Sequence, residues 1–166
     1  MKNITIVTIL LVLILSSPSL NLSQPAIINN FPLYNLENDR YLIRTELSKL
    51  PSDGVLILNF TSIYCLPCKK EIPELLKLVV RKGNRVRIFF IYAEYDRKQV
   101  RSNAVSLGIK GVREKDVCID IFNSIRNDFG IKNLPYTIVS DRNGVIISRF
   151  DGYSDDTIRT LEKLIK

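Results

Sequence analysis

The sequence predicts an α/β fold: a central mixed sheet flanked by helices, with a small β-hairpin ahead of it. Three observations carry this. Residues 55–58 with Phe60 are an apolar run of strand length, and residues 86–92 a mostly apolar one, as expected of strands covered on both faces. Helical patterns alternate with them. Ile72, Leu75, Leu76 and Val79 stand at i, i+3, i+4 and i+7, and a second helix over 98–107 is stopped by Gly108. Such alternation places parallel strands at the centre of the sheet. Lastly, residues 137–140 and 145–150 flank a loop at 141–144 ending in Asn-Gly, an antiparallel pair that makes the sheet mixed.

Taken in order, the chain opens with Lys2 and an apolar stretch at 4–15, broken only by Thr5 and Thr8 and followed by Ser16-Ser17-Pro18-Ser19. A run of this length suits a signal-peptide core better than a membrane span, which needs about 20 residues. Residues 1–23 therefore read as an export leader, cleaved near Ser19 or Ser23 or else retained as a membrane anchor reaching towards Leu22. Residues 24–30 read as a linker and 31–166 as one domain, long enough to bury its own core. Residues 31–36 and 40–43 form the hairpin around Glu37-Asn38-Asp39, and Thr45 caps a short helix to Leu50. Pro51-Ser52-Asp53-Gly54 turns the chain into the central strand. Gly83-Asn84 ends the helix that follows it.

Residues 110–116 read as a loop into the strand Val117-Cys118-Ile119. Asp120 then caps a helix carrying Ile121, Phe122, Ile125 and Phe129 on one stripe and closed by Gly130. After Gly152, Ser154 caps a last helix with Asp155 and Asp156 in its first turn and Lys163 and Lys166 in its last. Its stripe of Ile158, Leu161, Leu164 and Ile165 packs it on the sheet.

The chemistry lies where the first central strand meets its helix. Cys65 and Cys68 sit in the first turn, with Pro67 beside them where a missing N–H removes no helical hydrogen bond. Pro73 lies deeper, where it deletes a bond to the Lys69 carbonyl and predicts a kink. Unpaired N–H groups and the helix dipole stabilise a thiolate at such a terminus. Cys65 is therefore the expected nucleophile. Cys68, nearly one turn on, is close enough to form a disulfide with it and is the expected resolving thiol.

The motif Cys65-Leu66-Pro67-Cys68 after Leu58-Asn59-Phe60, followed by Lys69-Lys70-Glu71-Ile72-Pro73, resembles the thioredoxin-like superfamily. More narrowly, it resembles the extracytoplasmic thiol–disulfide oxidoreductases of the TlpA/ResA type. The stretches Phe129-Gly130-Ile131-Lys132-Asn133-Leu134-Pro135-Tyr136-Thr137 and Asp141-Arg142-Asn143-Gly144 carry the likeness onward, so that it covers roughly 31–166. It implies a cis Pro135 against the sulfurs, with Leu134 and Tyr136 shaping a substrate groove. It also implies a buried Glu71 that exchanges a proton as Cys68 reacts, where spacing alone would leave an exposed glutamate. Asn59 stands where cytosolic thioredoxins place an aspartate. Tyr64 replaces the usual tryptophan before the first cysteine but retains an aromatic contact surface, and Leu66 and Pro67 tune the pair. Cys118, on a strand, is expected as a small buried hydrophobe, with a second redox role or an intermolecular bridge as the alternative.

The inventory also excludes. With no histidine, Cys-His hydrolysis and histidine-completed copper sites are ruled out. One Cys-x-x-Cys plus Cys118 falls short of a structural zinc site. A peroxiredoxin pattern fails at Leu58 and Ser62. Setting Lys2 aside with the leader leaves 23 of the 24 basic residues against 17 acidic ones, a net charge of +6, scattered rather than blocked. That scatter argues against nucleic-acid recognition. The expected protein is a monomer without cofactor or metal. The resemblance implies that it acts outside the cytoplasm on disulfides or dithiols of exported proteins such as apocytochrome c, reducing rather than oxidising, and is recharged by a membrane electron donor. The alternatives are a disulfide oxidase and a peptide-binding scaffold whose disulfide is structural.

Overall fold

A computed structural model describes residues 26–165; the leader expected over 1–23 lies outside them. Strands β1 (Pro32–Asn35), β2 (Arg40–Leu42), β3 (Val55–Thr61), β4 (Val86–Tyr92), β5 (Val117–Ile119), β6 (Tyr136–Asp141) and β7 (Ile146–Asp151) form one sheet in the order β2-β1-β5-β4-β3-β6-β7. β3, β4 and β5 run parallel at its centre, and the remaining pairs are antiparallel. The helices are α1 (Ile43–Ser48), α2 (Leu66–Lys82), α3 (Arg97–Ser106), α4 (Ser124–Asp128) and α5 (Asp155–Leu164).

Strand alternation divides the interior into two cores. Val55 and Ile57 of β3, with Ile88, Phe90 and Tyr92 of β4, face α2, α3 and α5. Leu56, Leu58, Phe60, Phe89 and Ile91 face α1 and α4. This two-sided burial explains why the central strands read as mostly apolar runs. Ile72, Leu75, Leu78 and Val79 of α2 are fully buried in the first core, each contributing about 1.5–3 kcal/mol. Leu76, expected on the stripe, is only partly buried. The helix runs through Pro73 as one element and closes at Gly83, whose φ of 60° suits a residue without Cβ.

Several expectations are corrected. α1 begins at Ile43, so Thr45 lies within it and caps nothing. Leu42 holds the N-cap position without a side-chain bond, and the Ile43 N–H donates instead to the Phe31 carbonyl of the hairpin (3.3 Å). Residues 111–116, expected as loop, make a 3₁₀ turn. The helix expected directly after Asp120 is split: a 3₁₀ turn spans Ile121–Asn123, and α4 starts only at Ser124. Phe122, expected on that helix, lies in the 3₁₀ turn and is 82 % exposed. The described part of the expected linker is tied down, with Ile28 buried, its N–H donating to the Gly144 carbonyl (2.8 Å), and Ile27 bridging Val145.

Candidate active site

β3 ends at Thr61, and a tight turn brings the chain to α2. The Cys65 N–H donates to the Ser62 carbonyl (3.1 Å), and the Tyr64 N–H donates to Ser62 Oγ (3.1 Å). Glu94, just beyond β4, braces this turn by accepting from the Ser62 hydroxyl and from the Ile63 N–H (3.3 Å). Cys65 occupies the N-cap itself rather than the first turn, its Sγ accepting from the Cys68 N–H (3.1 Å). Leu66 and Pro67 are then the first two helical residues. Cys65 and Cys68 are joined as a disulfide, with Cα atoms 5.3 Å apart. Cys65 is partly exposed, whereas Cys68 has no exposed surface. Beside them Tyr64 and Leu66 are largely exposed and Pro67 is exposed.

One turn beyond Cys68, Glu71 points into the first core. Asn59 shares the β3 face of Val55 and Ile57, so it too faces α2, and Thr137 lies opposite Asn59 in the β3–β6 register. The three polar side chains close on one another. Asn59 Nδ2 donates to Glu71 Oε2 (2.7 Å) and to Thr137 Oγ1 (2.9 Å), and the Thr137 hydroxyl donates to Glu71 Oε1 (3.1 Å). All three are buried. Burial without a cation pushes the Glu71 carboxyl up to about 7, against the pull of the hydrogen bonds from Asn59 and Thr137.

The Leu134–Pro135 peptide is cis. Tyr136 pairs with Phe60, so Pro135 lies at the sheet end from which β3 leaves for Cys65. Pro135 is buried, its carbonyl accepting from the Gly152 N–H (2.9 Å), while Leu134 and Tyr136 remain partly exposed beside it. The fold thus gathers Tyr64, Cys65, Leu66, Pro67, Cys68, Glu71, Leu134, Pro135 and Tyr136 at one end of the sheet. Cys118 stands apart from that group, fully buried on the α1 face, where burial pushes its thiol up and disfavours the thiolate. Among the described residues, no cluster of three or more His, Cys, Asp or Glu side chains is arranged to hold a metal.

Sequence reasoning missed Ser62, Glu94 and Thr137. Glu94 and Thr137 act across the sheet, where no spacing rule reaches. Glu71 did carry a signal, since it falls in the stripe of buried α2 residues with Cys68, Leu75 and Leu78.

No family model matches the chain. Its sequence is 30% identical over 139 residues to the thiol-disulfide oxidoreductase ResA of Halalkalibacterium halodurans, covering 82% of this chain and 74% of that protein. The chain belongs to the ResA family. ResA of Bacillus thuringiensis is 29% identical over 138 residues, covering 82% and 73% of the two chains. Among solved structures, StoA from Bacillus subtilis superposes with a TM-score of 0.64 at 18% identity, covering 86% of this chain and 100% of StoA. A thiol:disulfide interchange protein of the thioredoxin family from Chlorobium tepidum gives 0.68 at 17% identity, with 86% and 95% covered. The structural likeness shows the thioredoxin-like fold, and the ResA relationship makes the chain a thiol–disulfide oxidoreductase.

Proposed function

We propose that this ResA-family protein reduces disulfides of exported proteins outside the cytoplasm, working as a monomer with Cys65 as attacking and Cys68 as resolving thiol. The observation that carries this reading is the unequal access to the two sulfurs, Cys65 being partly exposed at a helix N-cap and Cys68 fully buried. In the reduced protein, the N–H groups and dipole of α2 stabilise the Cys65 thiolate. That thiolate attacks one sulfur of a client disulfide. The client S–S bond breaks, a mixed disulfide forms, and the second client sulfur leaves as a thiolate. Cys68 then attacks the Cys65 sulfur, closing the 65–68 disulfide and freeing the client as a dithiol, so two electrons have passed to the client.

For that second step Cys68 must give up its proton. Glu71, with a pKa of about 7, is balanced between its two forms near neutrality and suits the role of acceptor. Pro135 with Leu134 and Tyr136, and Tyr64, Leu66 and Pro67 across from them, form the surface along which the client chain lies. A membrane dithiol donor returns the electron pair. The apolar run at 4–15 after Lys2 supports export or tethering, and family resemblance favours apocytochrome c cysteines, hence cytochrome c maturation, as the destination.

A redox titration in glutathione or dithiothreitol buffers tests the direction of electron flow. A two-electron potential near about −270 mV is expected, whereas about −120 mV would make the protein an oxidase. Cys65→Ser is expected to abolish exchange and Cys68→Ser to trap the mixed disulfide. A pair that neither titrates nor exchanges would leave the peptide-binding scaffold standing.

A further inference from the structure

Five of the nine exposed large hydrophobic residues among those described lie just beyond the ends of three strands at the active-site end: Tyr64 and Leu66 after β3, Tyr95 after β4, and Ile121 and Phe122 after β5. The three strands are parallel neighbours, so their following loops emerge side by side. Contacts join them into one surface. Glu94 holds the Ser62–Ile63 turn, and the ring of the adjacent Tyr95 lies 6.4 Å from that of Phe122.

Phe122 is 82 % exposed and sits at φ 61°, ψ 18°, with Asn123 beside it at φ 53°. A left-handed conformation is unfavourable for a bulky residue, so the ring is displayed at the expense of local stability. Asp120 anchors the strained loop by accepting from the Ile125 and Arg126 N–H groups (3.0 and 2.8 Å).

We infer that Tyr95 and Phe122 form a second docking site for the client, holding an extended apolar segment of its chain to one side of the disulfide that Cys65 attacks. The inference rests on protein disulfide exchange at Cys65. That activity already brings a client onto Tyr64 and Leu66, and the Tyr95–Phe122 pair continues the same apolar surface away from Pro135. Asp120 being buried, the charges that residues 93–96 and 120–123 present are Glu94 and Asp96, with no lysine or arginine among them, so the site favours apolar segments that carry basic rather than acidic residues.

The test compares exchange with oxidised glutathione and with insulin disulfides, in the full chain and in its Phe122→Gly and Tyr95→Ser variants. Glycine accepts the left-handed backbone, so Phe122→Gly removes the ring while relieving strain. The expected result is a fall of about tenfold in kcat/KM for insulin, an unchanged rate with glutathione disulfide, and a Tm for Phe122→Gly at or above that of the unmodified protein. An unchanged insulin rate, or an equal fall with both substrates, would overturn the site. So would a concentration-dependent dimer that Phe122→Gly abolishes, because the patch would then belong to a second copy of this chain. The glutathione rate of the unmodified protein reports on Cys65 alone and separates failure of the exchange reading from failure of the docking site.

Discussion

Glu71 is a carboxyl group buried without a counter-charge, and its behaviour follows from that. Burial raises its pKa from 4.5 to about 7, the hydrogen bonds from Asn59 and Thr137 pulling partly back. The folded chain therefore holds a proton that the unfolded chain releases near pH 4.5. The stability linked to this group is fully present below that pH and is lost as the pH rises through 7. Glu71→Gln should remove this dependence and raise stability above neutral pH by about 3 kcal/mol, seen as urea midpoints that no longer fall between pH 5 and pH 8. Slower resolution of the mixed disulfide in the same variant would mark the carboxylate as a proton acceptor. Asn59→Ala takes away a bond that opposes burial, so the Glu71 midpoint should move to higher pH, measurable by carboxyl NMR. A midpoint that stayed put would mean the bond has little hold on the ionisation. The cysteine pair was legible in the sequence because two thiols at the end of a strand and the start of a helix have few other uses. The burial of Glu71 was legible only in its place on the buried α2 stripe, and its partners were not, because Asn59 and Thr137 arrive from two other positions in the sheet.

Helix starts show why some elements were legible and others not. β4 and β5 match their expected bounds, since burial on both sides makes each a run of apolar residues, interrupted only by Arg87, that stops at or just short of polar residues. The region after β5 misled because Ile121, Phe122, Ile125 and Phe129 imitate a helical stripe. In the folded chain the Asp120 carboxylate reaches past four residues to accept from the Ile125 and Arg126 N–H groups, so the helix starts at Ser124 and Phe122 is left in solvent. Spacing cannot distinguish a carboxylate that caps the next turn from one that caps a later one. Asp120→Ala should cost about 1–2 kcal/mol. Faster amide exchange at Ile125 and Arg126 would localise the loss to α4, whereas an unchanged exchange pattern would show that the cap contributes little.

At the scale of the whole molecule, Arg87 joins the N-terminal extension to the central sheet. Its guanidinium pairs with Glu46 of α1 (2.8 Å) and with Asp116 before β5, and lies over the rings of Phe89 (4.1 Å) and Tyr41 (5.6 Å). Burial pushes the Glu46 carboxyl up, but hydrogen bonds from Lys49 and Arg87 outweigh it and hold the group below its ordinary value. The stability that Glu46 contributes is therefore present above pH 4.5 and lost as the pH falls. No local pattern announced this cluster, because its members are brought together only when β1 takes its place beside β5. Arg87→Met would leave Glu46 and Asp116, whose side chains are 4% and 7% exposed, without the arginine's charge. Removing one partner from a buried ion pair costs about 3–5 kcal/mol. Glu46 would then keep only Lys49 against its burial, so its carboxyl moves up from its lowered value and the loss caused by the substitution should shrink on acidification. Urea midpoints at pH 7.5 and pH 5 read this directly, and an equal loss at both would show that packing against Phe89 and Tyr41, rather than charge, is what Arg87 supplies. The potential of the cysteine pair should be unaffected, because Arg87 lies on the α1 face of the sheet and Glu71 on the other.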